Sequence, residues 1–330
     1  MTMLLAIIRA LHFGACLLPL SVFTTMLFVV NPSAGQPAGD APVPSVAGGV
    51  AEHLHRQLRY LLAVCFITAF ASGFLWLWFS IAGMNGSPLR ESLDANLFKM
   101  VLTQTRPGQV WMLRAVVALL CAAIALPAFA ARRGFKIARL PLWLCALAGA
   151  CLAGSLAWLG HAGASEGSSA NIHLAADVLH LLSAAVWPGS LLPFAVLVRL
   201  LLKSREPALL AVACVATRRF SSISLAAVGF LAGSGSVNSW FLVGNIHALF
   251  STEYGRLLLV KLAIFTAMVA IGAINLLHLK PRLSGAGDCA SRDASVLKQI
   301  ARNVFIELCL GTVVLLVVGI LGITPPAVHS

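Results

Sequence analysis

The chain has 330 residues, of which 59% are hydrophobic and only 10% charged, and its mean hydropathy is +0.92. That composition excludes the two soluble domains the length would otherwise allow and indicates a polytopic helical membrane protein, because lipid offers backbone polar groups no partner but each other. The net charge of +12 raises nucleic acid as a partner, but the basic residues fall in short loops between apolar runs, so no nucleic acid is expected and the lipid bilayer is the partner.

Eight apolar segments reach the ~20 residues a bilayer requires: 4–30, 58–82, 110–131, 140–160, 171–198, 219–242, 256–278 and 301–323. The fold class is therefore all-α, one eight-helix transmembrane domain over 1–330. The first apolar run is longer than the ~7–15 residues of a signal-peptide core, so it is expected to stay as a helix. A stretch rich in Pro, Gly and Ala, 31–57, is expected to be a flexible linker.

Arg132, Arg133, Lys136 and Arg139 occupy one loop; Arg199, Lys203, Arg205 and Arg218 the next but one; Lys280, Arg282, Arg292 and Lys298 the last. The alternate loops 161–170 and 243–255 carry neither Lys nor Arg. The positive-inside rule makes the basic loops and the linker cytoplasmic and puts both termini outside. The loop 83–109 departs from this pattern with Arg90, Lys99 and Arg106, accompanied by Glu91 and Asp94.

Within the fifth segment, His173, Asp177 and His180 follow spacings of four and three, one polar stripe on a helix, and His161 lies across a short loop. Ionisable groups in a membrane helix are costly and are functional candidates by default. Two imidazoles and a carboxylate on one face, with a third imidazole at the end of the preceding helix, suit copper, zinc or another transition metal better than Mg or Ca. Soft Cu(I) coordination would need a donor from elsewhere, such as Met84 or Met112. Haem ligation, proton handling and a purely structural role remain open, and a salt bridge from Asp177 to Arg114 or Lys261 is the structural alternative.

Other features read as scaffold. Glu307 in the last helix is expected to pair with Arg218 or Arg219. Gly229 and Gly233 form a small-xxx-small face suited to close helix packing. Pro188 should kink the fifth helix, two turns after His180, and a cavity beneath the stripe is one possible result. His53 and His55 form an HxH pair in the linker. The eight cysteines include no CxxC pair and read as small hydrophobes. The absence of Walker, dinucleotide, GxSxG and HExxH motifs makes an enzyme unexpected.

The motif DVLHLLSAAVWPGSLLP resembles the helix of the copper resistance protein D family that reads DxxHLLAAAxWxGGLLP. GSGSVNSW, TEYGRLLLVKLAIF, Asn275 within AINLLHLKPRL, Glu307 and the closing LGITPPAVH resemble that family's successive helices over 150–330, and the first four helices resemble it more weakly. The resemblance implies a multi-pass protein of the bacterial inner membrane with periplasmic termini, and copper ion, of unspecified oxidation state, as the metal. It implies transport or resistance, with copper accepted at His161, His173, Asp177 and His180, and with His12 joined to them by depth alone. A CopC-like periplasmic copper-binding protein would be a separate partner chain. Pro188, Ser190 and Glu253 depart from the family pattern. The rival readings are a haem-binding membrane cytochrome, in which His12 and His180 would face each other, and a docking subunit for a copper chaperone.

Overall fold

The computed structural model describes residues 2–30, 48–86, 88–130, 139–165, 167–204, 206–283 and 290–329. Its helices are α1 (Thr2–Thr24), α2 (Gly48–Asn85), α3 (Ala95–Gln104), α4 (Arg106–Ala128), α5 (Arg139–Gly154), α6 (Ala170–Ala184), α7 (Leu191–Ser204), α8 (Pro207–Val243), α9 (Ile246–Ser251), α10 (Glu253–Ile274) and α11 (Ala290–Leu321). No strand occurs among the described residues. Eight stretches are long and apolar enough to cross a membrane: α1 with its wide final turn, α2, α4, α5, α6 with α7, α8, α10 and α11. They match the eight segments expected from hydropathy.

Differences arise where polar residues form helix. The second helix starts at Gly48 rather than near 58, so 48–57 of the expected linker are helical and His53 and His55 lie on α2. The remainder of the linker, 31–47, lies outside the described residues, as do Arg132, Arg133, Lys136 and Arg205. The loop 83–109 contains α3, capped by the Asp94 side chain accepting from Asn96 N. α2 and α8, 38 and 37 residues long, extend well past the ~30 Å of a hydrocarbon core.

α1 is the centre of the bundle. Its span is 72% buried, against 11% for α10 and 22% for α4. Three glycines from three other elements explain why so much chain can crowd around it. A Cβ on Gly149 of α5 would lie 3.1 Å from Leu20 N, one on Gly319 of α11 would lie 2.2 Å from the Ala6 carbonyl, and one on Gly189 would lie 2.3 Å from Ser21 Oγ. Helix backbones in lipid associate through such small-residue contacts, since burial of apolar surface drives little there. Gly229 and Gly233 are exposed and have open space where a Cβ would go. The close approach assigned to them is made instead by the glycines that face α1.

Pro188 lies in a wide turn that interrupts the regular α-helix of the fifth span, where a kink is expected. α6 stops at Ala184, a wide turn covers Ala185–Gly189, and α7 resumes at Leu191. The Ala185 carbonyl at this break accepts from Ser21 Oγ at 2.7 Å and Ser190 Oγ at 3.2 Å. Ser190 also donates to the Ser21 carbonyl (3.2 Å), so the family departure at this position ties the turn to α1.

Candidate functional site

The polar stripe of α6 faces α8, and the two helices run antiparallel in matched register. His173 stacks on Phe241 with ring centroids 4.7 Å apart, Asp177 Oδ1 accepts from Asn238 Nδ2 at 3.0 Å, and His180 Nδ1 meets Ser234 Oγ at 3.2 Å. Steps of four and three on one helix answer steps of three and four on the other, so each polar rung lies about one helical turn below the last. The stripe is thereby enclosed in a seam, with His173 2% exposed.

The hydrogen bonds fix the tautomers of His180 and His161. Ser234 gives its own proton to the Phe230 carbonyl (2.6 Å), so it accepts from His180 Nδ1–H and leaves Nε2 as the basic nitrogen. Ser165 Oγ lies 2.7 Å from His173 Nδ1 and 3.2 Å from the His161 carbonyl, so one hydroxyl ties the two residues together. His161 Nε2 donates to the Leu321 carbonyl at the end of α11 (3.2 Å). Each imidazole is thus oriented through one ring nitrogen by a neighbouring oxygen, as metal-ligating histidines commonly are.

Two further groups complete the lower rungs. Asn238 Oδ1 is buried with no hydrogen-bond partner, and its amide orientation is set by the carboxylate its NH₂ serves. Lys261 of α10 places Nζ 3.5 Å from His180 Nε2, and its charge interacts with Asp177. A resident ammonium therefore stands beside the imidazole nitrogen and acts on the carboxylate through its charge. Gly235 permits the imidazole to sit against α8, since a Cβ there would be 3.1 Å from His180 Cε1.

No three His, Cys, Asp or Glu side chains among the described residues are grouped closely enough to hold one metal ion. The four residues of the stripe and its mouth are a ladder of donors rather than a closed cage. Met84 and Met112 are exposed, 67% and 39%, and join no rung.

His12 belongs to a separate cluster among α1, α2, α4 and α5. Its Nδ1 donates to the Ala69 carbonyl (3.1 Å) and its Nε2 accepts from Arg114 Nη2 (2.8 Å), with Trp76 and Trp111 packed on the ring. Arg114 also donates to Ser155 Oγ (2.7 Å) and Cys16 Sγ (3.3 Å). Both ring nitrogens of His12 are engaged, one of them by a cation. The choice between Arg114 and Lys261 as the neighbour of Asp177 thus falls to Lys261.

Glu307 departs from its expected pairing. Its Oε1 accepts from Asn275 Nδ2 at 3.0 Å, and Asn303 Nδ2 donates to Asn275 Oδ1 at 2.7 Å. Arg218 and Arg219 instead donate to the Leu283 and Val29 carbonyls. The site residues that sequence reasoning missed are Ser165, Ser234, Asn238 and Phe241. Ser234 and Asn238 are four apart within GSGSVNSW, a polar spacing complementary to the stripe.

Fold and site define a polytopic helical membrane protein with an imidazole and carboxylate ladder in one interhelical seam. The copper resistance protein D family profile matches residues 215–321, and the profile of the copper resistance protein D-like N-terminal domain matches residues 1–172. Copper resistance protein D of Pseudomonas syringae pv. tomato is 33% identical over 236 residues, covering 70% of this chain and 73% of the relative. Copper transport protein CutJ of Bacillus subtilis (strain 168) is 31% identical over 238 residues, 72% of this chain and 43% of the relative. Inner membrane protein YebZ of Escherichia coli (strain K12) is 30% identical over 278 residues, 82% and 88%. No solved structure matches the chain. The chain belongs to the copper resistance protein D family and is a multi-pass inner-membrane protein related to copper resistance and transport.

Proposed function

We propose that the chain accepts copper at the end that carries His161 and passes it along the α6–α8 seam toward the opposite side, as a transport protein and not an enzyme. The observation that carries this reading is the set of oriented imidazoles next to a carboxylate and an orphaned amide oxygen. Nitrogen and oxygen donors suit Cu(II), the form an oxidising periplasm favours. His161 and His173 receive the ion at the mouth; Asp177, His180 and Asn238 take it one to two turns deeper.

Lys261 has a definite part in this reading. Its ammonium supplies the positive charge beside His180 that acts on Asp177 when no ion is bound, so an incoming copper ion displaces it and a departing one is replaced by it. With the basic loops cytoplasmic, the ladder opens to the periplasm and transport runs inward. A separate CopC-like protein is the source of the ion at the mouth.

The test is the metal content and optical spectrum of the detergent-purified full chain after copper loading, beside a His161→Ala, His180→Ala double variant. Stoichiometric copper lost in the variant, with no Soret absorbance, is the expected result. A Soret band that disappears in the variant would replace this reading with the membrane cytochrome. A chain that binds no copper but captures the periplasmic chaperone would replace it with the docking subunit.

A further inference from the structure

A second polar site lies below the ladder on the same helices. Descending α10, Lys261 is followed by Phe265 and then Val269 and Gly272; descending the fifth span, His180 is followed by Trp187. Trp187 and Phe265 meet edge to face at 5.9 Å, and below them opens a cavity of about 130 Å³. Its walls come from α7, α8, α10 and α11, with Trp187, Phe194, Phe220 and Val269 among them. Glu307, 2% exposed, lines it together with Asn275 and Ser224. Glu307 is fourteen residues before the Leu321 that contacts His161, about 21 Å along α11, which places it in the half of the span away from the ladder mouth.

Of the polar side chains in this cavity, Ser224 has no hydrogen-bond partner and Glu307 has one among the described residues. Ser224 Oγ is buried without a hydrogen bond. Glu307 has its Oε1 on Asn275, while Oε2 has no hydrogen-bond partner among the described residues. Carboxylates in lipid are costly and functional by default, and a volume of this size with polar groups on its wall has room for a few waters. The donors are a carboxylate, an amide and hydroxyls, and no imidazole, thiol or thioether lines the wall, so soft copper finds no suitable ligand here. The surrounding helices also carry Arg199 and Lys203 (α7), Arg218 and Arg219 (α8), Lys261 (α10) and Asp293, Lys298 and Arg302 (α11), with His278 and Lys280 beyond α10, and none of them lines the cavity.

We propose that Glu307 is a proton-exchange site: Oε2 takes a proton from cavity water and returns it, while Oε1 stays on Asn275. The inference goes beyond the copper reading and does not depend on it. It assigns to the chain a second, protonatable station on the far side of the Trp187–Phe265 pair, so that proton movement can accompany cation movement.

Dicyclohexylcarbodiimide, an apolar reagent that modifies protonated carboxyl groups in membranes, tests this on the full chain without copper. The expected result is an adduct on Glu307, located by mass spectrometry. Its rate should fall about tenfold per pH unit once the carboxyl is mostly ionised, and added sodium should not change it. Glu307→Gln, which keeps the Asn275 bond, should remove that adduct and leave the protein folded. An adduct absent at every pH at which the chain stays folded, as for a fixed structural carboxylate, would overturn the proposal. Suppression by sodium would overturn it in favour of a hard-cation site. Loss of copper binding by the wild type with labelling intact would sink the copper reading alone.

Discussion

Replacing His12 and Ser234 separates a structural imidazole from a metal-handling one. His12→Ala deprives Arg114 of an acceptor and leaves the Ala69 carbonyl short of a donor, so it should cost about 1–3 kcal/mol of stability and leave bound copper unchanged. Ser234→Ala touches no expected ligand but frees His180 Nδ1, and should weaken copper binding about 10–100-fold, the usual cost of losing an outer-shell partner. Metal analysis and thermal denaturation on the two variants distinguish these outcomes. Lys261→Met removes a like charge from beside the ladder and should tighten copper binding by about tenfold or more, read by competition with a copper chelator. The stripe itself was legible because spacings of four and three allow one helical face. What sequence could not supply was the partner face. That depends on α8 running antiparallel in a register that sets Asn238 and Ser234 opposite Asp177 and His180. The same limit applied to His12, whose depth matched the ladder while its azimuth on α1 turned it to Arg114. Glu307 was mispaired for the opposite reason, since charge complementarity favoured an arginine and the cavity favoured an amide.

At the scale of elements, the break between α6 and α7 holds because α1 satisfies what Pro188 disrupts. Gly189→Ala should push Ser21 away and destabilise the protein, and adding Ser21→Ala should recover part of the loss by clearing the hydroxyl 2.3 Å from the new Cβ. A double-mutant cycle measured by denaturant titration should show this coupling, in the range of about 0.5–3 kcal/mol for residues in contact. The interruption was readable from proline alone, whereas its anchoring was not, because Ser21 is 164 positions from Ala185. Helix ends followed the same division. Apolar runs marked the membrane-embedded stretches closely, while the polar first turns of α2 and the whole of α3 lie outside the hydropathy signal and are held by caps and neighbours.

For the molecule as a whole, eight spans and the loop charges combine into one topology. Alkaline phosphatase fused at the C-terminus should be active, and fused within the basic loop after α10 it should be silent; the reverse pattern would invert the molecule and the direction of copper movement with it. The large exposed side chains, such as Trp240, Ile246 and Phe250 at 73%, 79% and 62%, then fall where aromatic and apolar groups sit at the membrane–water interface.

The central place of α1 also governs how the protein is made. Of the described helices, α1 is made before the others and is the most enclosed at the end, and α11, whose Gly319 packs against the Ala6 carbonyl, is made after them. Until α11 arrives, α1 must wait in the bilayer with the face that carries Ala6 and Ala10 and one side of Arg9 uncovered, a state that insertion machinery or lipid headgroups must tolerate. Chains cut short before α11 should therefore be recognised and degraded as unassembled, even though every remaining span is hydrophobic enough to stay in the membrane.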